Sequence, residues 1–307
     1  MIVGMVWLTF ALLGGVIALY FLAPGVAFSA AMALGRKRGG LKLKQTQVDG
    51  HRIPYLEGGD GEALVLLHGF GANKDNWTLI APYLTRQYHV YAPDLPGFGD
   101  SSRLEDASYG VDAQLARLRA FADAVGLESF HLGGNSMGGY LAAMFGARES
   151  ERVKSLWLLA PAGATGAQPS EVLSQIENGQ NPLITETLAD FERLAELCFT
   201  VTPQMPAQFK RPLLARARRE APFNRKIFQE IFSQMPALEG SIDGLQTPSL
   251  VVWGDNDRVL HCSGLDIIKG LLSNAESVLM PRMGHVPMIE RPAETAADYL
   301  RFRGTIA

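Results

Sequence analysis

Gly134-Asn135-Ser136-Met137-Gly138 follows the apolar stretch Phe130-His131-Leu132, so a serine sits inside a Gly-x-Ser-x-Gly pentapeptide at the end of a strand-like run. The flanking glycines permit a turn tight enough to strain the serine backbone and lift its hydroxyl clear of a sheet, with a helix N-terminus behind it. A chain with 32 glycines in 307 residues also reaches such a pattern by chance. The surrounding sequence therefore has to corroborate it.

Outward from the pentapeptide, strand-like and helix-like segments alternate. Ala63 to Leu67, His89 to Ala92, Phe130 to Gly133 and Ser155 to Leu159 are short apolar runs of the kind buried on both faces of a parallel sheet. Asn76 to Thr85, Gln114 to Val125 and Gly138 to Ala147 have the length and spacing of crossover helices. Leu41 to Val48 and His51 to Glu57 read as an opening strand pair turned at Asp49-Gly50. Ser249 to Trp253 and Ser277 to Met280 add two strands around a helix-like Leu265 to Leu272, and Ala293 to Phe302 closes the chain as a helix. This order predicts an α/β fold with a mostly parallel sheet flanked by helices. The interval from Pro161 to Pro248 breaks the rhythm. Rich in helix formers, it reads as a helical cap inserted over the carboxyl ends of the strands, where open α/β sheets place their ligands. The expected division is a core of residues 41–163 and 247–307, with the cap at 164–246. Lys210, Arg211, Arg216, Arg218, Arg219, Arg225 and Lys226 make the cap basic, either as a solvated helix face or as a surface for anionic headgroups.

From Met1 to Gly35 there is no charged side chain, and Ile2 to Leu22 is almost wholly apolar, which meets the requirement of about 20 residues for a membrane span. As one helix the stretch would measure roughly 52 Å at 1.5 Å per residue, against a hydrocarbon core of about 30 Å. A break at Ala23-Pro24-Gly25 is therefore expected, dividing residues 1–35 into a transmembrane helix and a juxtamembrane helix over Val26 to Leu34. The absence of a basic n-region argues against a cleaved signal peptide. Gly4, Ala11, Gly14, Gly15 and Ala18 fall close to one helical face, a pattern that suits a homodimer through these helices. Arg36, Lys37 and Arg38 favour the cytoplasm for that flank.

The formal net charge of -3 gives no reason to expect nucleic acid, and no Cys/His cluster has metal-ligand spacing. Neither a metal nor a cofactor is expected. The two cysteines, Cys198 and Cys262, lie in no motif and read as buried thiols, with a disulfide the alternative. Two carboxylates, Asp255 and Asp257, follow the strand-like Val251-Val252-Trp253. His285, in Gly284-His285-Val286-Pro287, follows the last strand and can reach back over the sheet edge as a base. His261 competes in order but lies only four residues from Asp257.

With His68-Gly69-Phe70-Gly71 and the glycine-rich Asp94-Leu95-Pro96-Gly97-Phe98-Gly99-Asp100-Ser101, these motifs resemble the capped α/β-hydrolase superfamily over roughly residues 41 to 305. The resemblance implies a serine hydrolase with Ser136 as nucleophile and His285 as base. Asp257 is then the acid, because it fits the Trp-Gly-x-x-Asp pattern that Asp255 does not. It implies an oxyanion hole from the backbone amides of Phe70 and Met137. It also implies that His68 fixes a loop, with His51, His89 and His131 structural. With the N-terminal segment added, the chain resembles the membrane-anchored monoacylglycerol lipases and the bacterial membrane-bound phospholipases A and lysophospholipases. That likeness implies lipid or fatty-acid ligands, a bilayer partner, and a single-pass cytoplasmic-membrane protein with a periplasmic catalytic domain. Dehalogenases and epoxide hydrolases of this fold use an aspartate at the elbow. Carbon-carbon hydrolases and soluble-ester hydrolases keep the serine, and a non-catalytic ligand receptor is the alternative of another class.

Overall fold

A computed structural model describes residues 20–233 and 235–306. Eight strands form one sheet: β1 (Lys42–Val48), β2 (His51–Gly58), β3 (Glu62–Leu67), β4 (Tyr88–Pro93), β5 (Phe130–Asn135), β6 (Val153–Leu159), β7 (Ser249–Gly254) and β8 (Ala275–Met280). Their order is β1-β2-β4-β3-β5-β6-β7-β8. The pairings of β1 with β2 and of β2 with β4 are antiparallel, and every later pairing is parallel. The opening hairpin turns at Asp49 and Gly50, whose φ angles of 49° and 73° suit the primed turn that matches strand twist.

The helices longer than a single turn are α1 (Pro24–Arg38), α2 (Val111–Ala124), α3 (Met137–Arg148), α4 (Glu171–Glu177), α5 (Leu188–Cys198), α6 (Ala207–Phe232), α7 (Gly264–Leu271) and α8 (Pro292–Thr305), and Pro287–Glu290 forms one further turn. Side chains alternate across the sheet with the two-residue strand period. Val65, Leu67, Leu156, Leu158, Val251 and Trp253 enter an apolar cluster with α2 and α3. Leu64, Leu66, Trp157, Leu159, Leu250 and Val252 enter the cluster on the other face, where Trp157 stacks on Tyr299 of α8 with ring centroids 4.3 Å apart. Burial on both faces explains why these strands read as continuous apolar runs.

Residues 76–85 are not one crossover helix. A 3-10 turn at Lys74–Trp77 and a single helical turn at Ala81–Leu84 stand there instead. Pro82 explains the difference, since it is tolerated in a first turn but removes a donor and clashes inside a helix. Between β6 and β7 run α4, α5 and α6. A capping box of Thr187 with Asp190 starts α5, and α6 carries Pro212 and Pro222 within its length. Much of its basic character is met inside the chain. Arg216 lies 3.0 Å from Asp100 and 2.9 Å from Glu220, Lys210 lies 2.6 Å from Glu192, and Arg225 pairs with Glu186.

The expected spanning stretch, and the small-residue face and homodimer drawn from it, lie outside the described residues apart from Tyr20 to Leu22. Among the described residues no helix is long and apolar enough to cross a membrane. This overturns the assignment to the cytoplasmic membrane as a single-pass protein with a periplasmic catalytic domain. Helix α1 begins at Pro24 after a non-helical Ala23, has 15 residues, and ends in Arg36, Lys37 and Arg38. At about 22 Å it falls short of a hydrocarbon core. It rests on α6 instead, with the rings of Phe28 and Phe209 5.7 Å apart. Arg36 grips Asp75 through two hydrogen bonds of 2.6 and 2.7 Å.

Candidate active site

The carboxyl ends of β3, β5, β7 and β8 open on the same edge of the sheet, and each delivers one part of a site. Ser136 is the link between β5 and α3, with φ 57° and ψ −120°, a conformation that costs a non-glycine residue on the order of 1–3 kcal/mol. The neighbours make it obligatory. A Cβ on Gly134 would fall 2.2 Å from the Gly138 carbonyl oxygen, and one on Gly138 would fall 2.3 Å from that of Leu67. The backbone of Ser136 is held on both sides. Its amide donates to Leu159 O at 3.0 Å, and its carbonyl accepts from Tyr140 and Ala162 at 2.9 and 3.1 Å.

The loop after β3 lies directly over the serine, since a Cβ on Gly69 would come within 3.3 Å of Ser136 Cβ. His68 fixes that loop. The Leu95 amide donates to its Nε2 at 3.0 Å, which leaves the proton on Nδ1 to donate to Gly69 O at 2.7 Å. Burial lowers its pKa from the ordinary value, so it stays neutral in this role. Among the described residues the amides of Phe70 and Met137 donate to no protein acceptor. Both are free to receive a ligand oxygen.

Beyond β7, Asp255 is exposed and its Oδ1 accepts the Met283 amide at 3.4 Å, as a turn former does. Asp257 turns inward. It is buried, and its Oδ2 accepts from Nδ1 of His285 at 2.7 Å. His285 is buried as well, after β8. No hydrogen bond joins Ser136 Oγ to His285 among the described residues. Asn135, next to the serine, ties the two segments by donating from Nδ2 to Leu159 O at 3.1 Å and to His285 O at 3.0 Å. The other histidines are engaged elsewhere: His261 with Ser263, His51 with the Ser102 carbonyl, His89 with Glu57, and His131 with Ser155 and Glu62. Cys198 and Cys262 are free thiols. Burial pushes the Cys198 thiol up to about 12, which keeps it protonated and unreactive at neutral pH.

An aromatic wall stands beside the loop after β3. Phe70 meets Phe98, Phe228 and Phe232 edge-on at centroid distances of 5.4, 5.6 and 5.8 Å, and the latter two come from α6. The carboxyl ends of β3, β5, β7 and β8 thus carry a serine on a strained backbone, a carboxylate-bound imidazole, two amides without a protein acceptor and apolar rings, which are the kinds of parts an acyl-transfer site uses.

The asparagine was legible only as the variable position of the pentapeptide; a polar residue at a buried strand end is the signal that marks it. The Cys198 carbonyl, which accepts the His285 amide at 2.8 Å, had no sequence signal, because any residue supplies a carbonyl.

Comparison with known proteins agrees with the fold. Residues 62–292 match the family described as alpha/beta hydrolase fold. The chain is 36% identical over 276 residues to Lipase 1 of Psychrobacter immobilis, covering 88% of this chain and 87% of that one. It is 28% identical over 275 residues to a monoacylglycerol lipase of Xenopus laevis, covering 85% and 82%. The crystal structure of a membrane phospholipase A, described as a bacterial virulence factor, superposes with a TM-score of 0.91 at 42% identity, covering 100% of this chain and 99% of the other.

Proposed function

We propose, since the chain belongs to the alpha/beta hydrolase fold family, that Ser136, Asp257 and His285 act as nucleophile, acid and base in the hydrolysis of fatty-acyl esters. The chain is a lipolytic carboxylic ester hydrolase, in keeping with its lipase, monoacylglycerol lipase and phospholipase A relatives. The observation that carries the residue roles is the buried Asp257 to His285 hydrogen bond of 2.7 Å beside the strained Ser136.

His285 Nε2 takes the hydroxyl proton of Ser136 as Oγ bonds to the acyl carbon, and the carbonyl electron pair moves onto oxygen. The amides of Phe70 and Met137 receive that oxyanion. When the carbonyl re-forms, the ester C–O bond breaks and the alcohol leaves with the proton from His285. Water then repeats the sequence on the acyl-enzyme: His285 takes its proton, the fatty acid is released, and the proton returns to Ser136. Asp257 holds the ring in the required tautomer and stabilises its cationic form. Residues 164–246 serve in this reading as a lid, with Phe228 and Phe232 bounding the acyl chain.

The test is fatty-acid release from monoacylglycerol and from lysophospholipid by the parent chain and by Ser136→Ala, together with fluorophosphonate labelling. Labelling at Ser136 and a loss of release by several orders of magnitude are expected. Release at the parental rate by Ser136→Ala would sink the reading.

A further inference from the structure

The loop that carries His285 is clamped at successive backbone positions. The Met283 carbonyl accepts from the Asn256 amide at 3.0 Å, and the His285 amide donates to Cys198 O at 2.8 Å. The His285 carbonyl accepts from Asn135 at 3.0 Å. The Gly284 amide, one residue before the ring, donates to Glu290 Oε2 at 3.1 Å. Glu290 has a second ligand. The Thr200 amide, two residues beyond α5, donates to both of its oxygens, at 3.2 and 3.3 Å. One carboxylate thus holds the histidine loop and the start of the α5 to α6 link together. The seat is tight, because a Cβ on Gly284 would fall 2.4 Å from Cys198 O and 3.0 Å from Glu290 Oε2.

We propose that Glu290 is a positioning residue that locks the His285 loop to the segment after α5, so that the aim of the imidazole depends on how the inserted helices are seated. The inference rests on His285 as the base. Two of the four clamps, Glu290 through Thr200 and the Cys198 carbonyl, connect the loop to the insertion between β6 and β7; Asn135 and Asn256 connect it to the core. A shift of α5 along its axis therefore pulls on Gly284 and His285 from the insertion side while Asn135 holds the far carbonyl. The ring swings instead of translating with its neighbours. A carboxylate suits the post because it offers several acceptor sites and takes charge-assisted bonds from two amides at once. Its required property is acceptor position. Charge is secondary, which separates this role from an electrostatic one.

Glu290→Asp withdraws the oxygens by one methylene and keeps the charge, whereas Glu290→Gln keeps an acceptor at full reach and removes the charge. With p-nitrophenyl butyrate as a small soluble probe, and kcat expressed per serine titrated to completion by a fluorophosphonate, Glu290→Asp is expected to lose about 10- to 100-fold in kcat. This is the scale of a misplacement of the order of 1 Å. KM stays within about twofold, and Glu290→Gln restores most of the loss. Thr200→Pro deletes one of the two amide donors and leaves Glu290 intact, but it also removes the Thr200 hydroxyl that accepts from Asn256 Nδ2 at 3.3 Å. A kcat loss in Thr200→Pro that Thr200→Ala does not share therefore reports the link to the inserted helices even if the Glu290 variants fold poorly. A purely structural role lowers the melting temperature and the titratable fraction without touching kcat per site. Parental kcat per site in Glu290→Asp and Thr200→Pro overturns the proposal. His285→Ala measured in parallel separates the two readings. An inactive His285→Ala beside a fully active Glu290→Asp removes only the positioning role, and a fully active His285→Ala removes both.

Discussion

Asp257 divides its carboxylate between a ring and a turn: Oδ2 accepts from Nδ1 of His285 at 2.7 Å, and Oδ1 accepts the amides of Val259 and Leu260 at 2.8 and 2.9 Å. The turn fixes the carboxylate, and the carboxylate fixes which nitrogen of the imidazole carries the proton. In the neutral ring Nε2 is thereby the nitrogen without a proton. An amide in place of the carboxylate keeps the shape but can present its NH2 group to Nδ1, which moves the proton to the wrong nitrogen. Asp257→Asn is expected to fold like the parent and to lose about 10³- to 10⁴-fold in kcat with little change in KM. Steady-state kinetics on a soluble ester check this, and a loss of less than about tenfold would remove Asp257 from the proposed triad.

The glycines of the elbow are required by space as much as by backbone angle. A methyl group at Gly138 meets the carbonyl oxygens of Leu67 and His68 at 2.3 and 2.5 Å, and one at Gly134 meets backbone atoms of Gly138 and Gly139. None of these contacts is the movable end of a side chain. Gly138→Ala is expected to destabilise the fold by about 3 kcal/mol, the upper end of overpacking costs. It should also slow fluorophosphonate labelling of Ser136, because relief of the clash displaces the helix that follows it. Urea unfolding and labelling rates measure the two effects. A stable variant that labels at the parental rate would show that the elbow tolerates a Cβ.

The aromatic wall makes a prediction about chain length. Phe228 and Phe232 pack 4.6 Å apart on α6 and both reach Phe70. In the proposed lid they bound the acyl chain, where each buried methylene contributes about 0.8 kcal/mol. Phe228→Ala should therefore lower kcat/KM for long-chain esters by about tenfold and leave butyrate esters nearly unchanged. Equal losses at every chain length would point to a disturbed Phe70 loop in place of an acyl contact.

What the sequence disclosed about this site follows from which interactions have periodic or motif signatures. Parallel strands buried on both faces left apolar runs, and the elbow left two glycines, so β5, Ser136 and α3 were readable with little error. The choice between Asp255 and Asp257 needed a family pattern, because both stand in the same turn and only the fold decides which faces inward. The segment at 76–85 misled, as helical periodicity outweighed Pro82. Of the seven basic residues of the cap, Lys210, Arg216 and Arg225 pair with carboxylates from other segments, Glu192, Asp100 and Glu186, which the sequence order did not reveal. Asp100, paired with Arg216, lies on the loop after β4. Backbone carbonyls such as that of Cys198 carry no residue preference, which leaves the clamps on the histidine loop largely silent in sequence.

Lys74 shows how much such silent contacts hold. Its ammonium is buried, 2.9 Å from Asp94 and 2.7 Å from Asp100, while its own amide donates to Asp94 Oδ1 at 2.7 Å. Burial works against the charged form, but the two carboxylates outweigh it and its pKa stands above the ordinary value. Removing one partner of a buried pair typically costs about 3–5 kcal/mol, because the other charge is left uncompensated. Lys74→Met is expected to destabilise the fold by about that amount, and adding Asp94→Asn should recover part of the loss. Urea unfolding of the two single variants and the double gives the coupling. Additive losses would mean that the pair contributes no interaction of its own.

His131 is expected to set the acid limit of the fold. It is buried on β5, with Nδ1 2.9 Å from Ser155 Oγ and Nε2 3.1 Å from Glu62. Burial takes its pKa down to about 4 from an ordinary 6.5, with Glu62 opposing the shift. Below pH 6.5 the unfolded chain therefore binds a proton that the folded chain refuses until about pH 4. Unfolding takes up that proton, so stability falls as acid is added through this window and is fully present above it. At 1.36 kcal/mol per pH unit the loss reaches ~3 kcal/mol once the window is crossed. Glu62 acts lower down. The Lys154 amine first, and His131 after it, hold its pKa at about 2 against an ordinary 4.5, so its contribution fades mainly below the histidine window. His131→Asn keeps a polar group between Ser155 and Glu62 but does not titrate. It should lose much less stability than the parent between pH 7 and pH 4.5, measured by urea unfolding at both values. Equal losses in parent and variant would assign the acid limit to another group.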